Sequence, residues 1–336
     1  MSPTVGEIAL KAGVSKSTVS LVLNNRPHVS EEMRKKVFSA LEELKKNNSG
    51  HLTTSRERSL RILLLHPLRM GSVQVFRELL QGIQSGIESI GGQLTLALHH
   101  PPFYPEHTTS ILLHDPSFRP DGVLLMGAMR NDPILNEIQK DNIPCVLIAR
   151  EIPPKGFSTV GMDNFQSAKE AVEYLIHIGH RNIAFVGGDE EFEYTRHRKA
   201  GYIAAMRSAG LGWKDLIFMG PGDRAAWDFL RSHQPVTAIF FVNDEHAALG
   251  VKTLQGQGIR IPDDLSIIGF DDTADTSSFD PPLSSIWVPR FEIGELAAKT
   301  LAEQIARPSI QCVRILLKTQ LRLRETSVQP PRHKDK

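Results

Sequence analysis

From Leu60 onward, the chain alternates short apolar runs with longer stretches whose apolar residues recur at helical spacing. This alternation is typical of βαβ units, because parallel strands that are buried on both faces of a sheet read as continuous apolar runs. The sequence therefore predicts a parallel α/β domain. The predicted strands are 62–65, 94–98, 122–126, 145–148, 183–186, 238–242 and 266–270, and the predicted helices are 76–90, 166–178, 198–209, 246–255 and 291–305.

Polar residues follow several of the predicted strands. Asn243 and Asp244 follow one strand, Asp271 and Asp272 follow another, and Arg150 stands after a third. Open parallel sheets bind ligands in the crevice beyond the carboxyl ends of their strands, so these residues are the first candidates for a small-molecule site. Asn and Asp are also common helix caps and turn residues at such positions, and this second interpretation stands beside the first.

The first sixty residues predict three short helices. Thr4 and Glu7 stand at capping-box spacing before an apolar repeat that Gly13 ends. Ser15 is the expected cap of a second helix, and Ser30, which two glutamates follow, is the expected cap of a third. The apolar faces predict one small core, which is formed by Val5, Ile8, Ala9, Ala12, Val19, Val22, Leu23, Val37, Phe38, Leu41 and Leu44.

The short turn between the first two helices predicts a helix-turn-helix. In such a unit the second helix lies in the major groove, and its N-terminal outward residues touch base edges. Lys16 and Ser17 are the expected readers, and Ser20, Leu21 and Asn24 extend the same surface. A helical hairpin that caps another domain would need the same apolar stripe, but it would not need an outer face so rich in donors.

The charge distribution agrees with a DNA-binding headpiece. Residues 1–61 hold eleven Lys and Arg against six Asp and Glu, a balance of +5, and since the whole chain carries +1 the remainder carries −4. A solvated basic surface would give the same count. No apolar run is long enough for a membrane helix, and the start of the chain lacks the layout of a secretory signal, so we expect a cytoplasmic protein.

Other functional classes have weaker support in the sequence. It contains no Gly-rich phosphate loop, no dinucleotide-binding glycine repeat and no nucleophile elbow, so it favours a binding protein over an enzyme. The histidines lack partners at metal-ligand spacing, and we expect neither a metal nor a cofactor. Cys145 and Cys312 lie in apolar, strand-like runs, and we expect both to be buried core thiols.

The stretch IALKAGVSKSTVS at residues 8–20, followed by Leu23-Asn24 and His28-Val29-Ser30, resembles the headpieces of the lactose-repressor (LacI/GalR) family. Leu21 stands where members of that family frequently carry an arginine. A leucine can contact a thymine methyl group, but it cannot bind guanine with two hydrogen bonds. The resemblance implies base or groove contacts from Lys16, Ser17 and Leu21, and phosphate contacts from Thr4, Ser15, Ser20, Asn24 and His28.

The segment after the third predicted helix departs from this family. The tyrosine and proline that usually open its hinge helix are absent, and Ser55 stands where a leucine that wedges into the minor groove is expected. Leu52 is the apolar residue nearest to that position. Two interpretations stand: Leu52 is the wedge in a shifted register, or the segment is a flexible basic linker that phosphates hold.

The resemblance continues through the larger domain, in the motifs at residues 179–188, 198–202, 241–244 and 262–272. It implies a two-lobed, periplasmic-binding-protein-like pair of parallel sheets behind an N-terminal all-α helix-turn-helix headpiece. The family's effector contacts fall on Arg198, Asn243 and Asp271, with Phe76 as a wall of the site. A guanidinium clamps hydroxyl pairs or a carboxylate, and the Asn and Asp side chains supply acceptors that orient a polyol.

Three departures widen the expected class of ligand beyond neutral sugars. Ala149 stands where relatives that bind such sugars often carry an aspartate, the loop 66–74 adds Arg69, and Trp287 occupies a position near the crevice that is usually polar. Anionic and aromatic ligands therefore join carbohydrates as candidates. For Phe76 and Trp287 the alternative role is core packing, and for Arg69 it is a solvated loop.

The predicted organisation is a headpiece at 1–48, a hinge or linker at 49–60, a two-lobed effector-binding and dimerisation domain at 61–328, and a flexible tail at 329–336. The resemblance implies a transcriptional repressor that binds a palindromic operator as a homodimer. A carbohydrate or related metabolite between the lobes would control operator affinity allosterically. A solute-binding module and a sugar-modifying enzyme are the alternatives, and the headpiece argues against the solute-binding module.

Overall fold

The computed structural model describes residues 5–23, 30–48, 59–67, 73–99, 113, 115, 117–127, 132–273, 276, 279–309 and 311–330. The chain divides into two compact units, Met1–Arg58 and Ser59–Lys336, and the division falls inside the predicted linker. Within the described ranges, no helix combines the length and the apolar composition that crossing a bilayer requires.

Where the structure describes the smaller unit, it contains three helices, α1 (Val5–Ala12), α2 (Lys16–Leu23) and α3 (Glu31–Asn48). Gly13, with φ of 65°, follows α1 in the left-handed conformation that ends helices. The Ser15 hydroxyl accepts the backbone N–H of Thr18 at 3.0 Å, and the Ser30 hydroxyl accepts that of Met33 at 3.3 Å. Both hydroxyls satisfy an N–H group that a helix start leaves without a partner, which confirms the two predicted caps.

The core of the smaller unit is formed by Ile8, Ala9, Val19, Val22 and Val37. The predictions that Val5 and Phe38 join this core are wrong, because 41% and 47% of their surfaces are exposed. Residues Val37 and Leu41 are one helical turn apart and point inward, whereas Phe38 is rotated by about 100° to the outer side.

The larger unit contains two six-stranded sheets, and seven further helices flank them in the described ranges. The first sheet comprises β1 (Arg61–Pro67), β2 (Gln93–His99), β3 (Gly122–Met126), β4 (Cys145–Ile148), β5 (Ser158–Met162) and β11 (Arg314–Leu317). The second comprises β6 (Ile183–Val186), β7 (Ile217–Phe218), β8 (Ala238–Phe241), β9 (Ser266–Asp271), β10 (Ser284–Trp287) and β12 (Gln320–Arg322). The helices are α4 (Val73–Ser89), α5 (Pro133–Lys140), α6 (Asn164–His177), α7 (Glu193–Ser208), α8 (Gly222–Ser232), α9 (Asp244–Gly256) and α10 (Arg290–Ala306).

The two sheets repeat one topology. The first has the strand order β11-β5-β4-β3-β1-β2, and the second has the order β12-β10-β9-β8-β6-β7. All pairs are parallel except β10 with β12, which is antiparallel. The direction of winding reverses between β1 and β3 in the first sheet and between β6 and β8 in the second. Such reversals open a crevice at the carboxyl ends of the strands.

Each sheet is the centre of one lobe, and the chain crosses between the lobes three times. The first lobe contains the first sheet with α4, α5 and α10, and the second contains the second sheet with α6, α7, α8 and α9. The crossings lie at residue 163 after β5, at residues 288–289 after β10 and at residues 318–319 after β11. Near the first and third crossings, the Ser167 and Thr319 hydroxyl oxygens lie 2.7 Å apart.

Helices α4 and α10 pack closely in the first lobe because glycines lie at their contact. A Cβ atom on Gly82 would lie 1.9 Å from the carbonyl oxygen of Phe291, and one on Gly294 would lie 2.3 Å from that of Leu79. No side chain fits at such separations. The glycines thus position Leu79 and the start of α10, which both face the cavity described below.

The observed architecture confirms the predicted fold class, and each predicted strand and helix corresponds to an observed one. Among the elements of the described residues, the prediction missed five strands, β5, β7, β10, β11 and β12, and two α-helices, α5 and α8. Cys145 is buried in β4 as predicted, but the prediction for Cys312 is wrong because this residue is exposed. The strand β11 begins only at Arg314 and lies at the edge of its sheet. Cys312 therefore lies before the strand, outside the buried part of the sheet.

Candidate functional site

The outer face of α2 carries the residues that are predicted to read DNA. The side chains of Lys16, Ser17 and Ser20 are exposed, and Leu21 exposes 46% of its surface, whereas Val19 and Val22 are buried. The helix therefore offers one ammonium group, two hydroxyls and an apolar contact on one side. This is the composition that a helix needs to read base edges and phosphates in a major groove.

Ser15 has a structural role in addition to its predicted phosphate contact. Besides capping α2, its hydroxyl oxygen lies 2.7 Å from that of Ser17 and 2.8 Å from that of Thr18. This cluster fixes the first turn of the helix. The predicted contacts from Thr4, Asn24, His28 and Leu52 lie outside the described residues, as does the predicted effector contact from Arg69.

A cavity of about 500 Å³ lies in the larger unit at the carboxyl ends of both sheets. Met126, Ala149 and Met162 bring the ends of β3, β4 and β5 to it, and Asn243 and Asp271 bring the ends of β8 and β9. Its volume suits a small metabolite. The remaining lining residues are Val75, Leu79, Phe192, Tyr194, Arg198, Asp244, Glu245, His246, Ala248, Leu249, Thr273, Phe279, Val288, Arg290 and Ile293.

Arg198 is a buried charged group of the cavity, and several contacts hold its guanidinium. Its side chain is only 3% exposed, its Nε donates to Oδ1 of Asn164 at 2.9 Å, and its Nη1 donates to the carbonyl oxygen of Val242 at 2.8 Å. The guanidinium carbon lies 3.4 Å from the centre of the Phe270 ring. Burial lowers the pKa of Arg198 from its ordinary value, and the Asp271 carboxylate opposes this effect. The guanidinium is thus held in place, which is the property of a pre-organised ligand contact.

Asp271 lies between two arginines. Its Oδ1 is 3.5 Å from Nη2 of Arg198 and 3.5 Å from Nη2 of Arg290. Nη2 of Arg290 also donates to the backbone carbonyl oxygen of Asp271, and its Nη1 lies 3.4 Å from Oε2 of Glu78. Asp271 itself has φ of 111°, a backbone conformation that side chains rarely adopt. Strained residues of this kind cluster at ligand sites.

Asn243 and Asp244 form the start of α9 beside the cavity. Asn243 caps the helix, since its Oδ1 accepts the backbone N–H of His246 at 2.9 Å. Asp244 accepts the Ser285 hydroxyl at 2.7 Å and the backbone N–H of Thr273 at 3.2 Å. Burial, with the charge of Asp271, raises the pKa of Asp244 to about 8. Both residues therefore help to build the wall of the cavity, in agreement with the capping interpretation of Asn243.

The structure brings Arg198, Asn243 and Asp271 together at the cavity, but it does not bring Phe76, Arg150 or Trp287 there. Phe76 packs on His66 with ring centres 4.0 Å apart, while its neighbour Val75 faces the cavity. Nε of Arg150 lies 3.0 Å from a carboxylate oxygen of Glu193. The centre of the Trp287 ring lies 4.8 Å from the guanidinium carbon of Arg322. Each of the three is engaged elsewhere.

Sequence reasoning missed several residues of the cavity. Tyr194 stands four residues before Arg198 on α7, and this spacing, which places two side chains on one helix face, would have indicated it. Arg290 carries no comparable signal, because only the return of the chain to the first lobe brings it beside Asp271. Within the described ranges, no cluster of three His, Cys, Asp or Glu side chains is arranged to hold a metal ion.

Comparisons with known proteins assign both units. Residues 4–45 match the family model of bacterial regulatory proteins of the lacI family, and residues 172–327 match the model of a periplasmic binding protein-like domain. The HTH-type transcriptional repressor CytR of Escherichia coli (strain K12) is 33% identical over 316 residues, which cover 90% of this chain and 89% of CytR. The probable HTH-type transcriptional repressor ExuR of Bacillus subtilis (strain 168) is 28% identical, with 96% of this chain and 98% of ExuR covered.

A solved structure agrees with these matches. The complex of the transcriptional regulator CelR with cellobiose has a TM-score of 0.75 and 27% identity, and the alignment covers 97% of this chain and 100% of that one. The match thus spans the helix-turn-helix unit and both α/β lobes. The chain therefore belongs to the lacI family of bacterial regulatory proteins, DNA-binding transcriptional repressors with an effector-binding domain rather than enzymes.

Proposed function

We propose that this protein is an allosteric repressor that binds a palindromic operator as a homodimer and changes its operator affinity when a small molecule occupies the interlobe cavity. The exposed face of α2 contacts the bases, and the cavity around Arg198 receives the effector. The observation that carries the proposal is that a helix-turn-helix with an exposed, donor-rich face shares its chain with a cavity to which both lobes contribute side chains.

The DNA contacts follow from the placement of α2. Lys16 and Ser17 lie at its N-terminal end, where a recognition helix meets base edges, and Ser20 and Leu21 follow one turn later on the exposed side. Two copies of such a helix read two half-sites one helical turn apart, which accounts for the dimer and for the symmetry of the operator. Thr4, Asn24, His28 and Leu52 join this set as the implied phosphate and groove contacts.

The effector contacts follow from the cavity. Arg198 and Asp271 belong to the second lobe, and Leu79 and Ile293 face them from the first. A molecule that touches both walls stabilises one separation of the lobes over others, and this difference in affinity is what an allosteric effector requires. CelR, a similar protein, is known in complex with cellobiose, which supports a carbohydrate or a related metabolite as the effector class.

The coupling has a reciprocal consequence. If the effector weakens operator binding by a given factor, the operator must weaken effector binding by the same factor, and such couplings typically amount to about 1–3 kcal/mol. A measurement of either affinity with and without the other ligand therefore reports the same quantity. An effector that strengthened operator binding would obey the same rule with the opposite sign.

The DNA-binding part of the proposal is tested with binding sites selected from a random DNA pool by the full-length protein. We expect a palindromic consensus, a binding constant that falls steeply with salt, and at least about tenfold weaker binding by Lys16→Ala. Lys35→Ala removes the same charge from an exposed position on α3 and is the matched control. Equal losses in the two variants, or no preference for any selected sequence, would contradict the proposal.

The effector part is tested by a thermal-shift screen of sugars, sugar acids, sugar phosphates and glycosides on the full-length chain, because a specific ligand raises the melting temperature by mass action. A hit is then added to the protein on its selected operator. We expect the affinity for DNA to change in the wild type and to remain constant in Arg198→Lys, which keeps the charge but cannot keep the contacts of the guanidinium.

A further inference from the structure

A carboxylate of the first lobe is bound by two donors of the second lobe. Glu151 lies in the segment between β4 and β5, and only 6% of its surface is exposed. Its Oε2 accepts the backbone N–H of Asn164 at 3.1 Å and lies 2.6 Å from Nδ1 of His197. Asn164 begins α6 and His197 lies on α7, and both helices belong to the second lobe. One buried side chain therefore carries two contacts between the lobes.

Both partners of Glu151 are connected to Arg198. The buried side chain of Asn164 accepts Nε of Arg198 at 2.9 Å, and His197 precedes Arg198 on α7. Arg198 is among the described residues that line the cavity, whereas Glu151 is not. Glu151 thus holds the backbone of one residue that binds the guanidinium and the side chain of another that adjoins it. A molecule in the cavity would sense Glu151 through Arg198.

The Glu151 carboxylate suits the helix start that it contacts. The N–H of Asn164 belongs to the first turn of α6, where N–H groups have no partner within the helix, and Asp163 caps the N–H of Gln166 in the same turn. A negative charge is also favourable at the N-terminus of a helix. If the lobes rotated apart, the carboxylate would lose this N–H and the imidazole together. Lobe separation is therefore opposed by the group that is connected to Arg198.

A second contact crosses the lobes beside the first. Ile152, the next residue of the first lobe, donates its backbone N–H to Oε1 of Glu193 on α7 at 2.9 Å. The other oxygen of this carboxylate lies 3.0 Å from Nε of Arg150. Neither contact includes an atom of Glu151. Hydrogen exchange at the N–H of Ile152 therefore reports on lobe separation without reporting directly on the Glu151 side chain.

The protonation state of His197 bears on the strength of this contact. The hydrogen bond to Glu151 is the main cause that raises the pKa of His197, and burial opposes it. A protonated imidazole forms a charge-assisted hydrogen bond with a carboxylate, and this bond weakens as the proton is lost. Nη2 of Arg314 lies 3.7 Å from Oε1 of Glu151, so one cation remains at higher pH. The charged side chains around the contact are Arg150 and Glu151 after β4, Glu193 and Arg196 on α7, and Arg314 at the start of β11.

We propose that Glu151 is an interlobe positioning residue, which holds Arg198 through Asn164 and His197 at the lobe separation of this structure and releases it when the lobes rotate apart. This inference rests on the proposed function, because it names the side chain that links the angle between the lobes to the effector contact. Protonated His197 strengthens the contact, so the fraction of molecules with separated lobes rises with pH.

The first test measures hydrogen exchange of the full-length protein at about pH 6, resolved to single residues by mass spectrometry. Glu151→Gln keeps the shape of the side chain but loses its charge, and we expect it to accelerate exchange at the N–H of Ile152 by about tenfold or more. Glu173→Gln is the matched control, because Glu173 is 43% exposed and pairs with Lys169 on the same helix. Acceleration at Asn164 alone, with Ile152 unchanged, would show a local hydrogen bond and overturn the proposal.

The hold on Arg198 is measured by NMR with isotope-labelled arginine in the same two variants. The Nε–H of Arg198 is bound to Asn164, and we expect it to exchange with solvent about tenfold faster in Glu151→Gln than in Glu173→Gln. Equal rates in the two variants would overturn the positioning role.

The second test needs no substitution of Glu151, and it decides the matter if that variant does not fold. After correction for the intrinsic pH dependence of exchange, we expect the N–H of Ile152 in wild type to exchange about threefold or more faster at about pH 8.5 than at about pH 6. The corrected rate should be independent of pH in His197→Gln. A wild-type rate that does not change with pH, or a change that persists in His197→Gln, would overturn the proposal.

Failure of this inference differs from failure of the proposed function. If these exchange rates did not respond while a compound from the thermal-shift screen altered operator affinity, the repressor proposal would stand and Glu151 would lose its role. If Glu151→Gln separated the lobes but bound the selected operator like wild type, with and without that compound, the positioning role would stand and the allosteric proposal would fall.

Discussion

Glu151 and His197 join the two lobes, with Nδ1 of the imidazole 2.6 Å from Oε2 of the carboxylate. One turn earlier on α7, Glu193 lies 3.0 Å from Nε of Arg150 and accepts the backbone N–H of Ile152 at 2.9 Å. The first two turns of α7 thus hold the segment after β4. The same two turns carry Tyr194 and Arg198, which line the cavity, so one short helical segment carries both the ligand wall and the interlobe contacts.

The Glu151–His197 contact makes stability depend on pH. The hydrogen bond and the charge of Glu151 raise the pKa of His197 above its ordinary value near 6.5. The stabilisation is therefore complete below about pH 6.5 and is lost as the pH rises through the elevated pKa of the folded state. We expect the melting temperature of wild type to exceed that of His197→Gln at about pH 6, with the difference shrinking towards about pH 8.5.

Two other charged residues act on the pKa of His197. The charge of Glu193 raises this pKa, and the charge of Arg196 lowers it. The control is His177→Gln, which removes an exposed histidine at the end of α6. A difference between wild type and His197→Gln that does not change with pH, or that grows as the pH rises, would contradict the assignment.

Arg198→Met is expected to destabilise the larger unit by about 2–4 kcal/mol, because it leaves two buried acceptors without their donor and removes one of the two cations beside Asp271. The affected groups are Asn164, the carbonyl of Val242 and Asp271. Arg307→Met is the control, because Arg307 is 71% exposed and pairs with Glu303 on the surface, where we expect a change within about 0.5 kcal/mol. Urea denaturation measures both, and similar losses would contradict the structural role of Arg198.

Gly82→Ala is expected to destabilise the first lobe by about 1–3 kcal/mol, because overpacking must separate α4 from α10. The added methyl group would lie 1.9 Å from the carbonyl oxygen of Phe291. Gly256→Ala makes the same substitution at the last residue of α9, where nothing lies within 4 Å of the new atom. We expect this control to be neutral or slightly stabilising. Thermal denaturation of both variants measures the two effects, and equal melting temperatures would contradict the prediction.

Leu21→Arg is expected to change the preferred operator. The exposed leucine can contact a thymine methyl group, whereas an arginine at the same position can bind guanine through two hydrogen bonds, a difference of about 1–3 kcal/mol per half-site. Selection from a random DNA pool with both proteins would show a change at one symmetric pair of positions. An unchanged consensus would remove Leu21 from the set of base contacts.

Much of the fold is predictable because buried parallel strands such as Ile183–Val186 are continuously apolar. Two of the five strands that sequence reasoning missed, β5 and β10, have a different composition. Ser158, Thr159, Ser284 and Ser285 are all buried in β5 and β10. Their hydroxyls find partners inside the protein, as when Thr159 donates to the carbonyl of Leu147 at 3.0 Å. Such partners come from distant segments, so composition alone did not identify these strands.

The candidate site was predictable where a polar residue directly follows an apolar run of the sequence, as Asn243 and Asp271 do. The site was not predictable where the sequence does not show which of two adjacent side chains faces the cavity. Phe76 and Val75 are adjacent on α4, and the phenylalanine packs on His66 while the valine faces the cavity. Trp287 turns towards Arg322 for a similar reason, since the antiparallel pairing of β10 with β12 brings that cation beside its ring.

The three passages of the chain between the lobes, at residues 163, 288–289 and 318–319, restrict what a bound molecule can communicate. Bodies tied at three places neither drift apart nor slide past one another, and a hinge rotation is the motion that remains. Any effector would then act through a single variable, the angle between the two lobes. Chemically unrelated compounds that enforce the same angle would be interchangeable as signals, whereas a compound that fills the space at the resting angle would only block the others.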